Sequence, residues 1–117
     1  MKKTITQLFI LAAMPSALFA ATYTATSNGN WTEPSTWGET ENIPTAEDSF
    51  RIAEGVNVYI NSAVQANNIS YQNGFNAPGI LTIEGKDASL TLNSGSNLYY
   101  KFMMEVNVLD GASFNAN

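Results

Sequence analysis

The chain has 117 residues, enough for one small domain and too few for two. It contains no cysteine and no histidine, which removes disulfides, thiolate and imidazole metal ligands, the serine and cysteine triads and the commonest general base. Ten acidic residues against five basic ones give a formal charge of −5, and the isolated positions of Arg51, Lys86 and Lys101 offer no footprint for a phosphate backbone, so the sequence predicts no nucleic-acid partner.

Residues 1–20 read as a secretory signal. Met1-Lys2-Lys3 is a basic opening, Leu8 to Met14 is an uninterrupted apolar run ended by Pro15, and Ala17, Ala20 and Ala21 supply small residues for cleavage. The cut is placed after Ala20, with Leu18 standing three positions before it where a small residue is preferred. A membrane span needs about 20 apolar residues and this run is shorter. The expectation is therefore an exported chain, extracellular, on the cell surface or in the periplasm, with no membrane span once the signal is gone. Removal takes Lys2 and Lys3 with it and leaves three basic residues against ten acidic ones, a net charge of −7, which favours solubility.

Residues 21–49 read as a polar lead-in and N-terminal cap. Asn28-Gly29-Asn30 is a turn signal, and Trp31 and Trp37 follow six apart with Pro34 between them and Gly38 directly after. Two roles suit these indoles. They can cover the open end of a small core, each burying about 150–250 Å² with its N–H on a partner, or they can stack on sugar rings. Their place ahead of the first strand unit, where an open end needs covering, favours the first role.

From Ser49 the pattern has period two: Val56, Val58 and Ile60 alternate with Asn57 and Tyr59, Leu81 and Ile83 flank Thr82, and Leu90 and Leu92 flank Thr91, as in strands with one buried face. No later stretch has apolar spacing at i, i+3 and i+4 between caps, so helix is expected to be scarce. Leu98 to Val108 supplies six apolar positions of one parity, too long for one typical strand of about 5–6 residues; it predicts two strands meeting near Met104-Glu105. Turn signals are Glu54-Gly55, Asn73-Gly74, Ala77-Pro78-Gly79, Glu84-Gly85, Asn93-Ser94-Gly95 and Asp110-Gly111.

A unit of strand, acidic-glycine turn and strand occupies Phe50 to Val58, returns at Val106 to Phe114, and is echoed at Leu81 to Gly85 with Ala88 to Leu90. Periods of 20–50 residues indicate a solenoid. The predicted fold is all-β: a right-handed parallel β-helix whose residues 50–117 form about two and a half coils behind the cap, with a loop inserted at 71–79. A small β-sandwich is the alternative, which accounts for the alternation and leaves the repeat as coincidence. No cap is written after Asn117, so the chain reads as the leading piece of a longer protein or a truncated copy.

No residues read as catalytic, cofactor-binding or metal-binding. Glu47-Asp48, with Glu39 and Glu41 before them, lack the spacing of a calcium loop and read as turn acids. Glu54, Glu84 and Asp110 recur at the same turn of each unit; stacked in phase they would form a row one strand spacing apart and repel one another. Candidate glycan contacts are Trp31, Trp37 and Tyr99, and Tyr59 also falls on the outward parity. Arg51, of opposite parity to Phe50 and Ile52, is expected to face solvent. Asn30-Trp31-Thr32 and Asn68-Ile69-Ser70 match the N-glycosylation pattern by chance in a signal of bacterial type.

Gly29-Asn30-Trp31, Thr36-Trp37-Gly38, Ile43-Pro44-Thr45-Ala46-Glu47-Asp48-Ser49-Phe50-Arg51-Ile52 and Gly55-Val56-Asn57-Val58 together resemble the opening of large secreted bacterial β-helix proteins: adhesins, autotransporter-type passengers and some polysaccharide-degrading enzymes. The resemblance covers residues 22–114. It implies a tryptophan-bearing cap and scaffold coils, with catalytic residues, where the family has them, on later coils. The expected function is that of an exported β-helical scaffold, non-catalytic in this region, contacting host or matrix glycans or surface proteins. Alternatives are the N-terminal piece of a carbohydrate-active β-helix enzyme and a small carbohydrate-binding module.

Overall fold

The alternation from Phe50 onward places every second side chain inward on strands too short to form a sheet by themselves. Their hydrogen bonds go to the next coil. In the computed structural model, which describes residues 20–70, 76–94 and 104–116, ten strands follow one another: β1 Thr22–Ala25, β2 Gly29–Asn30, β3 Ser49–Ile52, β4 Asn57–Ile60, β5 Ala63–Ala66, β6 Asn68–Ile69, β7 Gly79–Glu84, β8 Ser89–Leu92, β9 Met104–Leu109 and β10 Ser113–Ala116. The signal segment through residue 19, Tyr71, Tyr99, Tyr100 and Lys101 lie outside the described residues.

Three sheets result, ordered β1-β3-β6, β2-β4-β7-β9 and β10-β8-β5. Every pairing is parallel. Successive strands thus visit one sheet after another and return one step along the stack, which makes a β-solenoid of about three turns. The β-sandwich alternative does not hold, because antiparallel pairing within its sheets is what defines it.

Stacking aligns like with like. Val58, Leu81 and Val106 are in register across one sheet, as are Ile60, Ile83 and Val108; Val64, Leu90 and Phe114 form a column in another. Phe50, Ile52, Leu81, Ile83, Leu90 and Leu92 are fully buried, and each such side chain removed from water contributes about 1.5–3 kcal/mol. Outward side chains bond along the stack: Arg51 Nε donates to Thr24 Oγ1 at 2.9 Å, and Thr82 Oγ1 donates to Asn57 Oδ1 at 3.1 Å.

The register corrects the sequence reading in three places. Residues 21–49 are not only a cap, since β1 and β2 already pair with β3 and β4; among the described residues the winding begins at Thr22. The first copy of the repeat is out of phase with the others. Glu54-Gly55 joins β3 to β4, whereas Glu84-Gly85 and Asp110-Gly111 join the second sheet to the third. Glu54 therefore stands on a different corner from Glu84 and Asp110, its carboxylate accepting from the Asn76 N–H at 3.0 Å. The other two turns do stack, with the Gly85 N–H donating to the Leu109 carbonyl at 3.1 Å. Finally, Gly79 opens β7 instead of forming a turn. A Cβ there would lie 2.5 Å from the Ile52 carbonyl oxygen and 2.7 Å from Ile52 Cβ, so only glycine lets two coils approach this closely.

Candidate functional site

Strands β1, β2 and β5 stand at the N-terminal rim of their sheets, and exposed strand edges invite unwanted pairing unless they are covered. The chain covers part of this rim with residues 31–48. Trp31 continues the pairing of β2, its N–H donating to the Tyr59 carbonyl at 2.8 Å. A 3-10 turn, Pro34–Trp37, begins with a proline whose missing N–H is no loss there. It ends on Gly38 in the left-handed region. The turn folds onto β1: the N–H groups of Thr26 and Ser27 both donate to the Thr36 carbonyl, at 3.0 and 3.4 Å, while the buried Thr36 hydroxyl donates to the Asn30 carbonyl at 2.9 Å.

The indoles lie inside this cap. Trp31 is 1 % exposed and Trp37 4 %. Trp31 meets Phe50 edge-on at a centroid distance of 4.8 Å and Trp37 at 5.0 Å, and Trp37 Nε1 donates to the Trp31 carbonyl at 2.9 Å. Sugar stacking needs an indole face open to solvent, so the glycan-contact role considered for Trp31 and Trp37 is corrected to a structural one. Tyr99, the third candidate, lies outside the described residues. Tyr59 is 45 % exposed, on an outward row running Asn30, Tyr59, Thr82, Asn107 across the four-stranded sheet.

Between loop 43–46 and the outer edge of β5 runs an open groove of about 360 Å³, lined also by Trp31 and Thr32. Its side chains are apolar, hydroxyl or amide, and none is charged. Such a surface can form contacts and hydrogen bonds, and it holds no group to move a proton at neutral pH. Among the described residues, no three acidic, histidine or cysteine side chains gather where a metal ion could be held.

Asp48 is the one buried carboxylate of the cap, 5 % exposed. Sequence reasoning classed it with the solvated turn acids, and that is overturned: Oδ2 accepts from the Thr45 N–H and the Thr45 hydroxyl, both at 2.9 Å, and Oδ1 accepts from the Ala21 N–H at 2.9 Å. The spacing Thr45-Ala46-Glu47-Asp48 is the signal for part of this, since a carboxylate three residues after a threonine can close a turn. The partner at Ala21, 27 positions away, has no local signal.

No family model, no curated protein and no solved structure matches the chain.

Proposed function

We propose that the chain is an exported β-helical scaffold of the adhesin or passenger type, non-catalytic in this region, which acts by display and contact with glycans or surface proteins. The observation that supports this reading is the ordered polar exterior of the solenoid. Threonine, asparagine and arginine side chains of outward parity are tied to their neighbours one coil away, through Thr24 and Arg51, Asn57 and the buried Thr82, and, at a longer 3.5 Å, Thr91 and Asn115. Rows of fixed donors and acceptors a strand spacing of about 4.8 Å apart suit an extended partner better than a small molecule.

Expression of the chain in a bacterial host, followed by binding of the exported product to immobilised glycans and matrix proteins, tests the proposal. Saturable binding reduced several-fold by Tyr59→Ala or Asn107→Ala, with the thermal midpoint nearly unchanged, is expected. Retention in the cytoplasm, or turnover of a polysaccharide by the purified chain, would overturn it.

A further inference from the structure

We infer that Ala21 and Asp48 form a maturation latch, in which cleavage of the Ala20–Ala21 bond creates an α-ammonium that pairs with the buried Asp48 carboxylate. The inference rests on the export reading and deepens it. Hydrolysis adds water across the bond: Ala20 leaves with the new carboxylate, and the Ala21 nitrogen keeps its hydrogen and gains protons to become a cation, since a chain α-amino group has a pKa of about 7.7–8.0.

The geometry at both partners suits this conversion. Ala21 is fastened at each of its backbone groups: its nitrogen lies 2.9 Å from Asp48 Oδ1, and its carbonyl accepts from the Ser49 N–H at 2.9 Å. The residue that would begin the mature chain is thus the residue at which the ladder between β1 and β3 starts. Ala20 and Ala21 are themselves exposed, leaving the bond between them open to a peptidase. Asp48, by contrast, is buried, and its donors are two backbone N–H groups and one hydroxyl, all neutral. A buried carboxylate served only by neutral donors gains from a cation at contact distance. Among the described residues, the further groups shown beside it are acidic: the Thr45 hydroxyl also lies 3.4 Å from Glu47 Oε1, and Asp48 and Glu39 both act on the Tyr23 phenol. An ammonium at the Ala21 nitrogen keeps the existing hydrogen bond and adds charge to it, and charge-assisted bonds are about twice as strong as neutral ones.

The latch reaches beyond the terminus. The Asp48 carbonyl accepts from the Asn67 N–H at 2.7 Å, and the Asn67 carbonyl accepts from the Ser94 N–H at 2.7 Å. Asp48 is the first step of a corner that climbs through the following coils, so fixing it orders the stack and not the end alone.

Two measurements test the latch. The intact mass of the exported product is expected to correspond to a chain beginning at Ala21. Separately, residues 21–117, which carry all the described strands, are made behind a removable polar tag. Releasing the Ala21 amine is expected to raise the folding equilibrium constant, read from urea unfolding, roughly tenfold. In Asp48→Asn, which retains an acceptor oxygen, release is expected to change it by no more than about twofold. Should that variant not fold, one extra glycine left ahead of Ala21 displaces the ammonium by about 3.8 Å and is expected to abolish the gain. A mature product beginning elsewhere overturns the cut and the latch together. A product beginning at Ala21, with equal gains in wild type and Asp48→Asn or with the extra glycine, overturns the latch and leaves export standing.

Discussion

Trp37 and Tyr23 show how single residues set the stability of the cap. The Trp37 indole stands edge-on to Trp31, Phe50 and Tyr23, and its Nε1–H satisfies the Trp31 carbonyl in a buried setting. Trp37→Phe keeps most of the apolar area and loses that bond, so a loss of about 1–3 kcal/mol is expected in urea unfolding, with no change in any glycan binding. For Tyr23, burial first, then the negative charges of Asp48 and Glu39, raise the phenol above its ordinary 10.0. The folded chain then keeps a proton that the unfolded chain has lost. The contribution of this group is fully present below about pH 10 and is lost as the pH climbs through the raised value. Tyr23→Phe is expected to flatten the alkaline fall in thermal midpoint measured between about pH 9 and 11.

At the scale of the strand, position within the stack decides what a side chain is worth. Ile83 and Val108 occupy equivalent places on β7 and β9 and are in register, yet Ile83 is fully buried and Val108 is 42 % exposed. Ile83 has a coil on either side, whereas among the described residues no strand lies beyond β9. Ile83→Ala is therefore expected to cost about 2–5 kcal/mol, and Val108→Ala less than about 1 kcal/mol, by denaturant unfolding. Equal costs would show that β9 is covered in solution. The same logic explains why period-two alternation read correctly as strands: in a solenoid each strand has one inward face, so the pattern survives even though the sheets are parallel.

For the whole molecule, a solenoid is nearly one-dimensional, each coil resting on its neighbours. Alternation, acidic-glycine turns and a period of 20–50 residues were enough to indicate stacked parallel coils, because these are local properties of a chain that repeats its own path. The burial of Trp31 and Trp37 was also legible, as two large rings beside a small core have few other places to go. The phase of the coils was not. Phe50 to Ile52 and Leu81 to Ile83 carry the same motif but belong to different sheets, since a strand-turn-strand signature does not say which corner of the coil it turns. Nor could the sequence show that β1 and β2 belong to the winding, for their four and two residues are too short to carry a period. What the sequence by itself determined was the class of fold, through its alternation and its repeated turns. What only the tertiary structure decided was register and burial. These placed the Asp48 carboxylate on the nitrogen of Ala21, a contact made by two points far apart along the chain and therefore invisible to any local pattern.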